Sequence, residues 1–164
     1  MKRKRLDKAR VREALLAAMK NGLEMTARAA EDARAGATHE ENRSEGDKDM
    51  RATEQSYLAR GQAIRAEELA EQLQRLEVMP FASIDAGAPI GVGALVRLTV
   101  DAEARVFFVV PFGGGTDLVV DGQKITVVTP ASPVGQALVG RRAGEDFELM
   151  ARGAMKEWVI ESIE

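Results

Sequence analysis

The sequence predicts an α+β fold: a long antiparallel helical hairpin at residues 1–79, followed by a small antiparallel sheet domain with one short helix at residues 80–164. Two observations predict it. Composition changes near Met79, because all five prolines and most glycines follow that residue, whereas good helix formers dominate before it. After residue 80, β-branched and aromatic residues gather in short runs such as 95–100 and 106–110, which is typical of strands.

The first helix is predicted over residues 6–34. Apolar or small side chains recur there every three or four positions, which places them on one helix face. These positions are Val11, Leu15, Met19, Leu23, Thr26, Ala30 and Ala33.

The second helix is predicted over residues 47–77, after a polar interval at 35–46. Its expected apolar stripe is Met50, Thr53, Tyr57, Gly61, Ile64, Leu69, Leu73 and Leu76. Two stripes of similar length bury each other most simply as an antiparallel coiled coil, about 40 Å long at ~1.5 Å per residue. Its tip is placed at about residues 36–49, and Gly61 is explained by a close crossing of the two helices.

The sheet domain is predicted to hold six strands and one helix. The helix begins with Ser132 as N-cap and Pro133 in its first turn, covers 134–139, and ends at Gly140 in a left-handed conformation. The strands are expected at residues 93–100, 104–111, 117–120, 124–129, 146–151 and 155–163. Tyr57 and Trp158, the sole Tyr and Trp, are expected to pack rather than react.

Composition excludes several classes of protein. The chain has no cysteine, which removes disulfides and thiolate chemistry, and no apolar run approaches the ~20 residues of a membrane span. A basic start without an apolar core is not a signal peptide, so we expect a cytoplasmic protein with no membrane contact. Residues 1–79 hold 16 Lys and Arg against 15 Asp and Glu, and residues 80–164 hold 7 against 11. This balance argues against direct nucleic-acid binding.

Five carboxylates fall within ten residues between the two helices, beside the only histidine, His39. They are Glu40, Glu41, Glu45, Asp47 and Asp49. One interpretation is a solvated turn whose acids complement the dipole of the second helix; the other is a set of metal ligands. The spacing does not fit a calcium-binding EF-hand, and Gly113-Gly114-Gly115 lacks the features of a phosphate-binding loop.

One segment resembles a known family. Residues 132–145 read SPVGQALVGRRAGE, which is similar to the SP-x-x-x-AL-x-G-[KR]-x-x-G-[DE] stretch in the FKBP-like domain of the Gre family of bacterial transcript-cleavage factors, GreA and GreB. Residues 42–49, NRSEGDKD, and Thr53-Glu54-Gln55 align without a gap with that family's tip and second helix. The resemblance covers nearly the whole chain.

The resemblance implies a transcription elongation factor. Such a factor docks its FKBP-like domain on core RNA polymerase at the rim of the secondary channel, inserts its hairpin, and stimulates cleavage of backtracked RNA. It is not an enzyme by itself: tip carboxylates support Mg²⁺ shared with the polymerase active site, and no metal is expected on the isolated monomer. The nascent RNA 3′ end is reached only indirectly. The FKBP-like fold does not imply prolyl isomerase activity, because no aromatic-lined pocket is expected.

The resemblance also assigns residues. Glu45 matches the tip glutamate and, with Glu41, is the expected Mg²⁺ ligand, while Asp47 is a further candidate. Asn42 stands where the family has aspartate. The polymerase-docking loop matches Ala131, Ser132 and Pro133. Because an amide brings no charge, the alternative is a non-cleaving regulator that competes with true cleavage factors in the same channel. A third hypothesis is a helical adaptor unrelated to transcription.

Overall fold

The computed structural model describes the backbone of residues 5–41, 48–85 and 87–164, and their side chains except at 40, 41, 48 and 49. The predicted fold class is confirmed: two long helices precede a six-stranded sheet with one short helix. The elements are α1 Lys8–Glu41, α2 Lys48–Val78, β1 Leu95–Val100, β2 Glu103–Val109, β3 Asp117–Val120, β4 Gln123–Val128, α3 Pro133–Leu138, β5 Asp146–Ala151 and β6 Ala154–Ile163.

The chain divides into two compact units. The hairpin unit is Leu16–Val78, and the sheet unit combines Met1–Leu15 with Met79–Glu164. The start of α1 therefore lies with the sheet. Within the sheet unit, the Lys8 ammonium donates a hydrogen bond to the Ala82 carbonyl at 2.9 Å, and the Arg12 guanidinium lies 5.3 Å from the Phe81 ring centroid.

The hairpin unit is antiparallel, as predicted. Near its base the Lys20 ammonium lies 3.1 Å from a carboxylate oxygen of Glu77, and towards the other end Gly36 lies beside Gln55. Helix α1 continues to Glu41 rather than ending at residue 34. The predicted end was wrong because the polar interval still carries alanines and glutamates, which favour helix, and Ala37 is buried and so continues the packed face of α1.

The predicted stripe of α2 is confirmed only near the end of the helix, where Leu69, Leu73 and Leu76 lie on the packed face. Met50 is 75% exposed, Tyr57 71% and Ile64 47%, so these large side chains face solvent. Before the leucines, the less exposed face carries small and polar residues instead. The whole face, with members alternately three and four apart, is Ala52, Gln55, Ala59, Gln62, Ala66, Leu69, Leu73 and Leu76. Both series fit a helical period, so periodicity alone does not decide which face of α2 packs against α1. The predicted close crossing of the two helices at Gly61 is wrong, because a Cβ there would meet nothing within 4 Å.

The sheet has the strand order β3-β4-β2-β1-β6-β5. The six predicted strands are present, with ends shifted by at most about two residues. One prediction was wrong: the sheet is not wholly antiparallel, because β2 pairs in parallel with β4 over Phe107–Val109. The intervening β3 lies outside β4, so the chain runs to the sheet edge and returns inward, which gives β4 the direction of β2.

The core of the sheet unit lies between the sheet and α3. Leu138 of α3 belongs to this cluster together with three aromatic residues, Phe107, Phe147 and Trp158. The Trp158 ring centroid lies 5.9 Å from that of Phe107 and 5.8 Å from that of Phe147. The prediction that Trp158 packs is confirmed, whereas that for Tyr57 is wrong.

The opposite face of β2 is also covered. Phe108 follows Phe107 and therefore points to the other side of the sheet, where it is fully buried and its ring centroid lies 5.6 Å from that of Phe81. No helix in the described part of the chain is long and apolar enough to cross a membrane.

Candidate functional site

The Ser-Pro turn, residues 131–133, follows β4 and ends at the first residue of α3, and it is the best-defined part of the site assigned by resemblance. Ser132 is the N-cap of α3, with extended backbone at φ −68° and ψ 155°. Its Oγ accepts a hydrogen bond from the Gly135 backbone N–H at 3.1 Å and donates one to the Thr129 carbonyl at 2.7 Å. The hydroxyl is therefore occupied inside the turn.

Two further contacts fix the turn on the sheet unit. The Gln136 side-chain amide donates to the Ala131 carbonyl at 2.9 Å. Gly135 packs against the end of β4 so closely that a Cβ would lie 1.8 Å from the Thr129 carbonyl oxygen. Only glycine fits there. The left-handed conformation predicted at Gly140 is confirmed, with φ +88°, so α3 is defined at both ends.

The exposed surface of the turn is small and apolar. Ala131 and Pro133 are exposed, whereas Ser132 is half-buried. Val139, at the other end of α3, is 41% exposed. The three matched residues thus have two roles. Ser132 caps α3, and Ala131 and Pro133 form an exposed apolar surface. Contact of these residues with polymerase stays a prediction.

The tip residues of the hairpin belong to a segment that the structure leaves undescribed. Asn42, Glu45 and Asp47 lie outside the described residues, and Glu41 is described only as the last backbone position of α1. Elsewhere, no three acidic or histidine side chains within the described ranges come together as a possible metal site. The Mg²⁺ ligands assigned to Glu45 and Glu41 therefore stay a prediction.

Near the tip, Gln55 faces α1. A Cβ added at Gly36 would lie 2.4 Å from the Gln55 side-chain oxygen, so the glycine makes room for this side chain. That oxygen is buried and has no hydrogen-bond partner among the described residues. Glu54, the neighbouring residue of the matched Thr53-Glu54-Gln55, is exposed. Of the matched residues, Gln55 therefore lies between the two helices, whereas Glu54 faces solvent.

Sequence analysis did not predict a recess in the sheet unit. A cavity of about 390 Å³ is bordered by Arg105, Lys124 and Arg152 and by small parts of Phe107 and Trp158, which are only 5% and 3% exposed. The alternation of side chains along β2 and β6 places both rings on one face. The signal that could have found the recess is therefore the presence of the sole tryptophan and a phenylalanine on core strands.

Comparison with known proteins finds several similar solved structures, including the three that follow, while no family model and no curated protein matches the chain. GreA factor homolog 1 (Gfh1) of Thermus thermophilus is 22% identical over 92% of this chain and 95% of its own, with a TM-score of 0.39. Gfh1 of Thermus aquaticus is 21% identical over 92% and 94%, with a TM-score of 0.38. The transcription elongation factor GreA/GreB from Nitrosomonas europaea is 24% identical over 60% and 78%, with a TM-score of 0.37.

The solved structures that this chain resembles are Gre-type transcription factors. Their names refer to the Gre family, which is the family that residues 132–145 and 42–49 resemble in sequence. Because the TM-scores and identities are low, neither the fold described above nor a function rests on these similarities.

Proposed function

We propose that this chain is a transcription elongation factor that binds core RNA polymerase at the rim of the secondary channel. The observation that carries the proposal is the Ser-Pro turn: the segment that resembles the Gre motif is a capped helix start with Ala131 and Pro133 exposed. An antiparallel hairpin with acidic residues between its helices supplies the part that would enter the channel.

The proposed activity depends on the acids between the helices. Glu45, together with Glu41 or Asp47, would offer carboxylate oxygens to Mg²⁺ in the polymerase active site. Mg²⁺ in such a site activates water and stabilises the charge that develops during phosphodiester hydrolysis. Since Mg²⁺ dehydrates reluctantly, a few solvated carboxylates would not hold it without the polymerase. The chain would thus stimulate hydrolysis of backtracked RNA by the polymerase, without being an enzyme alone.

A second candidate function follows from Asn42. An amide oxygen can coordinate a metal but brings no negative charge, and the Gre family has aspartate at the matching position. A chain that occupies the secondary channel without supporting cleavage would slow an authentic cleavage factor by competition. Adding this chain to a backtracked polymerase that already contains such a factor distinguishes the two functions, because a cleavage factor accelerates RNA release and a competitor slows it.

The direct test uses stalled, backtracked polymerase with end-labelled RNA. We expect wild-type chain to release RNA fragments and Glu45→Ala to lose this activity while binding polymerase and unfolding like wild type, because one substitution in a polar segment generally costs little stability. Glu67→Ala is the matched control, since it removes an exposed acid of α2 away from the tip. Equal loss in both variants, or loss of stability together with activity, would contradict the role of Glu45.

A further inference from the structure

Strands β5 and β6 expose one face along their whole length. Side chains alternate along both strands, so Phe147, Trp158 and Ile160 point into the core while their neighbours point away from it. The residues that point away are all exposed: Asp146, Glu148, Met150, Met155, Glu157, Val159 and Glu161. These seven residues form a surface that we call the outer β5–β6 face.

The charged residues of the outer β5–β6 face are all acidic. The only basic residue of the two strands is Lys156, which points to the other side of the sheet and pairs with Asp101. The carboxylates of Asp146, Glu148 and Glu157 have no ion pair within the described ranges. Several carboxylates with no cation among them give this face a negative potential.

Two of these acids lie directly opposite each other. The register of β5 and β6 pairs Glu148 with Glu157, and like charges directly opposite each other on one face destabilise a sheet. The isolated chain thus contains an unfavourable contact that a cationic side chain placed between the two carboxylates would relieve. A metal ion is not the expected occupant, because no three acidic or histidine side chains within the described ranges come together as a possible metal site.

Apolar side chains accompany the acids on this face. Met150 and Met155 are paired across the two strands, next to the turn that joins them, and are 60% and 56% exposed. Val159 lies opposite Asp146 and is 38% exposed. Methionine side chains are flexible and adapt to the shape of a partner, which is why they are frequent on binding surfaces. The face therefore offers apolar contact beside negative charge.

This combination of charge and shape indicates the kind of partner. Nucleic acids and anionic membranes carry negative charge and would be repelled. Since β5 lies at the edge of the sheet, an added strand would extend the sheet beside β5 rather than cover its face, whereas a helix can pack on the face. Side chains one turn apart on a helix are ~6 Å apart, close to the ~6.7 Å between successive outward residues of a strand.

We propose that the outer β5–β6 face binds a basic amphipathic helix of a partner protein. The apolar side of that helix lies on Met150 and Met155, and its lysines or arginines contact Glu148 and Glu157. The face lies on the side of the sheet opposite α3, and it includes neither the tip acids nor the Ser-Pro turn. The proposal therefore stands or fails independently of the function in transcription.

Titration with a defined peptide tests the proposal. The probe is a Lys-Leu peptide whose leucines recur every three or four positions, so that its helix is amphipathic. We expect this peptide to shift the amide NMR signals of β5 and β6 in ¹⁵N-labelled full-length chain to saturation. The same residues in scrambled order keep the charge but lose the apolar side, and should bind at least about tenfold more weakly. No saturable shift, shifts confined to residues outside the two strands, or equal binding of the scrambled peptide would overturn the proposal.

Two double variants with the same change of net charge identify the surface. Glu148→Gln with Glu157→Gln should weaken peptide binding at least about tenfold, because two contacts with lysine lose their charge. Glu67→Gln with Glu68→Gln removes two exposed acids of α2 and should bind like wild type. The first double variant should also unfold at a higher urea concentration than wild type, because the like-charge contact is gone.

The opposite signs of these two effects separate a binding surface from a structural one. Equal affinity in the two double variants, or lower stability of the Glu148 and Glu157 variant, would overturn the proposal. Signals of β5 and β6 that shift with chain concentration before peptide is added would mean that a second copy of the chain covers the face, and would overturn it as well.

Discussion

The two units bury different kinds of side chain. The sheet unit buries four aromatic residues, Phe107, Phe108, Phe147 and Trp158, each 6% exposed or less. The described part of the hairpin unit buries mainly small or aliphatic side chains: Met19, Ala37, Ala52, Leu73 and Leu76. Since hydrophobic stabilisation grows with buried apolar area, these aromatic positions of the sheet unit contribute more than the alanine positions of the hairpin seam.

This difference is greatest in the middle of the hairpin. A groove of about 580 Å³ runs along a part of the seam that alanines such as Ala30, Ala59 and Ala66 line. The leucines lie nearer the base, at Leu73 and Leu76. Few buried methylene groups mean a low cost of local opening, so the hairpin should open more easily towards its tip than at its base.

The largest expected effect comes from a pair of aromatic residues, one in each unit. Phe108→Ala should lower the free energy of unfolding of the sheet unit by about 3–5 kcal/mol, because it leaves a cavity at a fully buried position. Tyr57→Ala removes a ring that is 71% exposed and should change stability by less than about 0.5 kcal/mol. Urea unfolding followed by Trp158 fluorescence and by helical circular dichroism measures both. Comparable losses in the two variants would contradict the contrast between the units.

A pair of helical glycines sharpens the comparison. Gly135→Ala should destabilise the sheet unit by about 1–3 kcal/mol, because the new methyl group overlaps the Thr129 carbonyl. Gly61→Ala in α2 should instead stabilise the hairpin by up to about 1 kcal/mol, because nothing lies within 4 Å and alanine favours helix. Hydrogen exchange of each unit measures both effects. If Gly61→Ala destabilised the hairpin, the result would support the close helix crossing at Gly61 that the sequence suggested.

The Ser-Pro turn provides the next test. Pro133→Ala should weaken binding to core polymerase about tenfold while the fold is retained, because the exposed ring is removed and the Ser132 cap is not. Ser132→Ala is the complementary variant, since it removes the cap and should cost about 1 kcal/mol of stability. Binding to immobilised polymerase, with circular dichroism as the folding control, measures this. A loss of strand signal in Pro133→Ala would make the proline structural instead.

The smallest expected effect depends on pH. Hydrogen bonds from Lys124 and then Thr126 hold the pKa of the Asp117 carboxyl below its ordinary value of 3.8. Since the pKa is lower in the folded chain, this contribution is present above the unfolded value and is lost as pH falls through the folded one. Asp117 is half exposed, so the effect should stay below about 1 kcal/mol. Asp117→Asn should flatten the stability profile in this range; an unchanged profile would show that the pair contributes nothing.

Local rules predicted most of the fold. The positions of proline, glycine and β-branched residues located the six strands and α3, because these residue types restrict the backbone conformation at their own positions. The exposure of Tyr57 and Ile64 could not be predicted in this way, because two periodic faces of α2 compete and only the partner helix decides between them. The parallel pairing of β2 and β4 depends on the path of β3, which no local pattern specifies.

The site was predictable to a smaller extent. The cap at Ser132 and the helix end at Gly140 follow from residue type. The exposure of Pro133 and the recess beside Trp158 depend on how distant strands meet, so the sequence alone did not reveal them. The roles of Asn42, Glu45 and the neighbouring acids rest on resemblance, since these residues lie outside the described ranges.

The most direct test of the proposed function measures RNA fragment release from backtracked polymerase by wild-type chain and by Asn42→Asp, across Mg²⁺ concentrations. The proposed function predicts release by wild type and faster release by Asn42→Asp, because the variant adds a negative charge near a weakly held Mg²⁺. The gain should be largest at low Mg²⁺ and should shrink as the metal saturates. If both proteins bind polymerase and neither releases fragments at any Mg²⁺ concentration, the chain does not stimulate cleavage.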